Sequence, residues 1–441
     1  MSRNSIPRSV WILGVVSLLM DVSSEMIQTL LPLYLVVGLG ASAVVIGLVE
    51  GFSVVVATAV KFLSGFWSDR IARPKWLAVA GYGLAALSRP IFPLAASVEG
   101  VLLARGVDRI GKGVRTAPRD ALVAAVTPPD IRGRAFGLRK SLDTVGGFVG
   151  PLLAIGLMVV LANDTKAVFW LASIPAFLAV ALLIGGVSDP PRPDEASKKP
   201  PSLKGALRLD AATWTMIALT AVIGLARFSE SFLLMKGLDV GVPAAFAPAA
   251  IVLLHLVFGL AAFPVGALSD RIGRTALLLL SLVFLAAADV ALALASDQAV
   301  FYLGVALWGL HMGFSQGLLM TLIADTAPAH LRGSAFGLFA LISGLIALLG
   351  NVAAGLLWDG FGPQATFAVG AVLSLVCALA AVEVELERCG FVRTHRSWLV
   401  NAARMSGLRP EGSGDWTVEL GALEAPLSRR YSEALERLRA A

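Results

Sequence analysis

The chain has 441 residues, 57% of them hydrophobic and only 15% charged, with a formal net charge of +6 and a mean hydropathy of +0.80. That balance excludes a soluble enzyme and a disordered polymer and puts the chain in a bilayer, where helices satisfy their own backbone groups. Two cysteines, Cys377 and Cys389, are too few for a disulfide framework or a thiolate metal site.

Taken in chain order, Arg3 and Arg8 precede a first apolar span over 11–37. It runs past Asp21 without a small-residue cleavage site, so it reads as an uncleaved span rather than a secretory leader. Further spans, each long enough to cross ~30 Å of hydrocarbon, fall over 43–66, 76–96, 99–122, 135–161 and 167–187. Residues 188–210 crowd Pro190, Pro191, Pro193, Pro200 and Pro201 among charges and read as a solvated linker. A second set follows over 213–236, 246–268, 275–296, 299–323, 334–358 and 363–386. The expected organisation is an N-terminal half (1–187), the linker, a C-terminal half (211–388) and a solvated polar tail (389–441) with helical spacing over Ser428–Leu438.

The two sets repeat each other. Asp130-Ile131-Arg132-Gly133-Arg134-Ala135-Phe136-Gly137-Leu138 returns 200 residues later as His330-Leu331-Arg332-Gly333-Ser334-Ala335-Phe336-Gly337-Leu338. The expected fold is all-α and integral to the membrane, with twelve transmembrane helices in two pseudo-symmetric six-helix halves around a central cavity. Arg70, Arg73, Lys75, Arg132, Arg134, Lys198, Lys199, Arg271, Arg274 and Arg332 all fall on one side of these spans. By the positive-inside rule that side, with both termini, is cytoplasmic, and the localisation expected is the inner membrane. No long basic run accompanies these charges, so no nucleic acid is expected as a partner.

Gly266-Ala267-Leu268-Ser269-Asp270-Arg271-Ile272-Gly273-Arg274 resembles the cytoplasmic loop signature G-x-L-x-D-R-x-G-R of the major facilitator superfamily. The first-half copy keeps Gly65, Asp69, Arg70 and Arg73, with Ala72 in place of a glycine. A carboxylate in such a turn can cap a neighbouring helix N-terminus. The resemblance implies that Asp69 and Asp270 latch one half to the other. From Gly137 the pattern continues through Gly146, Gly150 and Pro151, similar to the fifth-helix motif of proton-coupled exporters, with Ala154 and Ile155 replacing its last glycines. Small residues allow close helix approach, and alanine is expected to be tolerated at Gly150. The second copy has Asn351 where the first has proline.

A charge near the bilayer centre costs roughly 2.5–3.5 kcal/mol on insertion scales, so each intramembrane charge reads as functional. Asp21, Glu25 and Gln28 share one face of the first span, and Glu50 stands in the second. In the fourth, Arg105, Asp108, Lys112, Arg115 and Arg119 draw one stripe, with Arg109 beside it. Asp21 and Glu25 are expected to pair with Arg105, Arg109 and Lys112. Asp143 lies in the fifth span, and Arg227 and Glu230, one turn apart in the seventh, are placed to neutralise each other. His255, His311 and Gln316 complete the set, too isolated for a metal site.

Proton coupling is assigned to Asp21, Glu25, Glu50, Asp143 and Glu230. Cargo contact is assigned to Gln28, Arg105, Asp108, Arg109, Lys112, Arg227, His255, His311, Gln316 and Asn351. No nucleotide-binding loop occurs, no cofactor is implied, and the chain is expected to act as a monomer on a small molecule and protons rather than as an enzyme. The expected activity is proton-coupled export of a small polar, zwitterionic or anionic metabolite, drug or metal chelate. The alternatives are proton-coupled uptake of an organic anion, and a receptor or scaffold that works through its tail. Asp69→Asn and Asp270→Asn are expected to slow transport while leaving cargo affinity within a few fold, measured by paired flux and equilibrium-binding assays.

Overall fold

The computed structural model describes residues 6–70, 74–128, 131–188, 214, 217, 222–272, 274–326, 332–388, 390–411, 415–421 and 423–440. Most of the linker expected over 188–210 lies outside them. Helix α1 (Arg8–Gln28) ends ahead of Pro32, which has no N–H to continue the ladder, and the chain goes on as a short turn, Leu31–Leu33, and a π-helical turn, Tyr34–Gly38. There follow α2 (Ala43–Arg70), α3 (Pro74–Ser88), α4 (Val98–Val126), α5 (Arg132–Val160) and α6 (Thr165–Gly186). Ser97 caps α4 by accepting from the Gly100 amide, and Asp164 caps α6 by accepting from that of Ala167.

The span expected over 213–236 is broken. Residues 222–226 are helical, Arg227, Phe228 and Ser229 are not, and α7 runs over Ser231–Asp239. Then come α8 (Ala249–Ile272), α9 (Arg274–Leu294), α10 (Gln298–Thr326), α11 (Arg332–Phe361) and α12 (Pro363–Arg388).

Nine helical segments among the described residues are long and apolar enough to cross a membrane. Helix α4 is not one of them, because its charged stripe lowers its hydropathy. Burial is inverted relative to a soluble protein: Leu103 is 63% and Leu260 70% exposed, whereas Arg89 is 1% and Asp108 2% exposed. Apolar side chains face the lipid, and these two charges are enclosed by protein.

Residues Met1–Ser374 form one compact unit and Leu375–Ala441 another. In the first, α5 lies against α1 because two glycines allow it. A Cβ on Gly146 would stand 2.7 Å from the Leu18 carbonyl oxygen, and one on Gly150 would stand 2.6 Å from Glu25 Cβ and 2.9 Å from the Val22 oxygen. Alanine at Gly150 is therefore not accommodated without movement, contrary to expectation. Gly137 faces open space and takes no part in this packing. Helix α2 lies along α11, and the Asp359 carboxylate near the end of α11 accepts from the amides of Ala43 (2.9 Å) and Val44 (3.0 Å), capping α2.

The second unit corrects the all-α expectation, since the polar tail folds largely as strands. Hairpin β1 (Phe391–His395) and β2 (Trp398–Asn401) is followed by the antiparallel meander β3 (Gly407–Pro410), β4 (Trp416–Leu420) and β5 (Leu423–Leu427), then by α13 (Ser432–Ala440). Val400, Val418, Ala425, Leu427 and Leu438 form its core.

Gly150→Ala should lower the stability of the purified protein by about 1–3 kcal/mol through overpacking. Gly137→Ala should be neutral or stabilising by up to about 1 kcal/mol. Thermal unfolding in detergent distinguishes the two.

Candidate functional site

The charged stripe of α4 organises the first unit, and its arginines and Asp108 have each found a partner on the chain. Arg105 donates through Nη2 to both oxygens of Glu50 on α2 (3.1 and 3.2 Å) and through Nε to Ser53 Oγ (3.0 Å). Asp108 accepts from Arg89 Nη2 of the α3 end (2.9 Å) and pairs with Arg109 Nε (3.3 Å). Arg89 also donates to Ser24 Oγ of α1 (2.9 Å), and Arg109 to Gln28 Oε1 (3.0 Å). Arg115 covers the Tyr82 ring and stands 3.9 Å from Asp21. Lower on the same helix Arg119 pairs with Asp120, and Arg139 on α5 bonds Asp143 at 2.7 Å.

The expected pairing of Asp21 and Glu25 with Arg105, Arg109 and Lys112 is thus corrected. The network spreads over α1 to α4 because Glu50 and Arg89, rather than Asp21 and Glu25, meet the upper part of the stripe. Arg89 was missed by sequence reasoning. Its signal was a lone arginine before Pro90 inside an otherwise apolar run.

Inside the first unit lies a cavity of about 500 Å³. Of the residues assigned to proton coupling or cargo, Glu25, Gln28, Glu50, Arg227, Glu230, His311 and Asn351 line it. Arg105, Asp108 and Arg109 form the ion-paired network just described, and neither these three nor the half-buried His255 lines this cavity. Lys112 and Asp143, with Asp21, line a separate chamber.

The break after Ala226 gives the cavity its chemistry. Non-helical backbone survives at membrane depth only where a cavity or a side chain satisfies it. Here Asn351 Oδ1 accepts from the Ser229 amide at 2.6 Å. The residue that departs from the glycine-proline pattern of the fifth helix therefore supports the break from α11. Arg227 and Glu230 do not neutralise each other as expected. The break removes the helical spacing that would bring them together, and no ion pair or hydrogen bond engages either side chain among the described residues. The same holds for the carboxylate of Glu25. His311 Nδ1 is held by the Ser281 carbonyl at 2.9 Å, which leaves Nε2 without a protein partner.

Arg73 and Gly273 lie outside the described residues, as do the side chains of Asp69, Arg70, Asp270, Arg271, Arg274 and Gln316. The backbone of α2 includes Gly65 and runs to Arg70, and that of α8 includes Gly266 and runs to Ile272, so both aspartates stand in the last turn of a helix rather than in the connecting loop. Among the described residues no group of three or more His, Cys, Asp or Glu side chains is placed to hold a metal ion.

A bundle of long apolar helices enclosing charges around an internal cavity is the build of a membrane transporter. Residues 13–259 and 237–405 match the Major Facilitator Superfamily family model, and the chain belongs to that superfamily. The MFS-type transporter MJ1317 of Methanocaldococcus jannaschii is 29% identical over 378 residues, covering 84% of this chain and 94% of its own. The inner membrane transport protein YajR of Escherichia coli is 25% identical over 386 residues, covering 84% and 81%. The fold is that of the nucleoside transporter NupG, with a TM-score of 0.72 at 16% identity over 86% of this chain and 99% of NupG. Residues 372–439 also match the LytTr DNA-binding domain model, a match that begins within α12 and takes in the folded tail.

Asp108→Asn should destabilise the protein by about 3–5 kcal/mol, because it strands two buried guanidinium groups. Arg89→Gln combined with Asp108→Asn should recover part of that loss. Thermal melts of the single and double variants provide the cycle.

Proposed function

We propose that this protein is a twelve-helix secondary active transporter of the inner membrane, built as two six-helix halves with both termini cytoplasmic, which exports a small zwitterionic or anionic metabolite in exchange for protons. The observation that carries this reading is a set of three charges in one cavity, Arg227 and Glu230 at the helix break and Glu25 on α1, whose side chains have no hydrogen bond or ion pair among the described residues. A carboxylate or phosphate of the cargo binds Arg227 by a charge-assisted pair. An ammonium group, or a proton, is taken by Glu25 or Glu230. Proton and cargo then compete for the same carboxylates, and each biases the equilibrium between inward-open and outward-open states.

The packing of α2 on α11 and the Asp359 cap support an inward-open assignment for this conformation, with the Ala43 end of α2 shut. The glycine contacts of α5 on α1 support a sealed path that forces exchange rather than leak. Uptake by proton symport uses the same residues with the opposite order of release. Comparing flux in inverted and right-side-out vesicles under an imposed proton gradient separates the two directions.

A second reading is favoured by the folded tail and its LytTr match: the protein acts as a receptor or scaffold through residues 390–441. Absence of solute flux in the intact, folded protein would support this non-transporting role, whereas flux that is undiminished when these residues are deleted would count against it.

Arg227→Gln should raise the apparent KM for cargo by about tenfold or more, since a charge-assisted pair contributes roughly 1.5–3 kcal/mol. The Asp21→Asn/Glu25→Gln double variant should bind cargo yet show no response of transport to the pH gradient, read in proteoliposomes. Retained proton-driven flux would move the coupling site to Asp143 or Glu230.

A further inference from the structure

Beside the central cavity the first unit holds a second chamber of about 290 Å³, open to its surroundings and with a different electrostatic character. Lys61 of α2, Lys112, Arg115 and Arg119 of α4 and Lys140 of α5 line it, against two carboxylates, Asp21 and Asp143. The carboxylates are already engaged: Asp143 is held by Arg139 at 2.7 Å, and Asp21 faces Arg115 at 3.9 Å. Lys61, Lys112 and Lys140 have neither a hydrogen bond nor an ion pair to their side chains among the described residues, and all three are exposed. Three ammonium groups from three different helices line one hollow in which five cations stand against two carboxylates, and none of the three is hydrogen-bonded or ion-paired among the described residues.

The positive-inside rule alone would be met by lysines pointing to headgroups or water anywhere on that side. It does not ask that they line one hollow together. Mutual repulsion disfavours such an arrangement unless an anion relieves it, and low-dielectric walls focus the field of like charges into the cleft. Multivalent oxyanions gain most, because each oxygen accepts from a different ammonium. Thr58 lines both this chamber and the central cavity, so the two spaces adjoin.

We propose that the chamber lined by Lys61, Lys112 and Lys140 binds a multivalent oxyanion, of phosphate or polycarboxylate chemistry, at a site separate from the central cavity. The site stands on its own charges and does not depend on which cargo the central cavity carries. Its occupant comes either from solution or from a lipid headgroup.

The test uses the full chain, purified and placed in phosphatidylcholine nanodiscs, titrated with pyrophosphate. Wild type is expected to bind, chloride at equal ionic strength should not compete, and Lys112→Gln/Lys140→Gln should weaken binding by about tenfold or more. Lys166→Gln, whose ammonium lies over the Tyr34 ring away from the chamber, should leave it unchanged. Lys61→Gln alone should weaken binding by about threefold, which keeps the test open if the double variant fails to fold. In discs containing phosphatidylglycerol, a headgroup occupant would raise the melting temperature of wild type but not of the double variant, and would abolish the pyrophosphate response. Wild type that responds to neither anion, or lysine variants that bind as tightly as wild type, would overturn the proposal.

Discussion

Ionised side chains buried at membrane depth must find partners on other helices, and this constraint sets the arrangement of α1 to α4. Helix α4 brings Arg105, Asp108 and Arg109 into the interior, and at roughly 2.5–3.5 kcal/mol per unpaired charge none of them can be left to lipid. Asp108 has a short side chain, so Arg89 reaches it only if α3 comes close. Gly111 permits that approach: a Cβ there would stand 2.6 Å from the Ala85 nitrogen and 2.7 Å from the Gly81 oxygen. Gly113 does the same toward Val60 on α2. Backbone proximity and charge pairing are one design, in which removal of side chains at two positions lets the charges at three others be satisfied.

The outcome is a division between committed and uncommitted charges. Arg89, Arg105, Asp108 and Arg109 spend their interactions on one another and on Glu50, Ser24, Ser53 and Gln28, and they form a stiff wall. Glu25, Arg227 and Glu230 line the cavity without a hydrogen bond or ion pair to their side chains among the described residues. In the proposed cycle these three respond to protons and cargo, while the wall holds its shape. The helix break adds to this contrast, because Asn351 ties the Ser229 amide to α11 and leaves the flanking side chains unrestrained.

Much of this was legible in the sequence because hydrocarbon is an unforgiving solvent. Apolar runs gave most of the long helices, and Glu50, Arg105, Asp108 and Arg109, all charges inside spans, proved to be buried within the protein. What was not legible was partnership. Helical spacing put Asp21 and Glu25 on one face but could not say that Glu50 and Arg89 would take the stripe first, since those contacts join residues 55 and 19 positions apart. The break at Arg227 was hidden because Phe228 and Ser229 do not oppose a helix, and only the distant Asn351 makes the interruption affordable. The folded tail was missed for a different reason. Its strands are four or five residues long, and the alternation in a segment such as Trp416–Leu420 is too brief to stand out after such an apolar chain.

The Asp359 cap carries a thermodynamic message of its own. Its two hydrogen bonds to Ala43 and Val44 are partly solvent-exposed, so on release water replaces them and each contributes a net of only about 0.5–1.5 kcal/mol. Such a clasp sets a resting population without creating a trap: a bias of one to three kcal/mol, roughly, is of the size that a differentially bound ligand can reverse. In the proposed inward-open state, the end of the bundle at Ala43 is thus held with a strength commensurate with the binding of a small molecule.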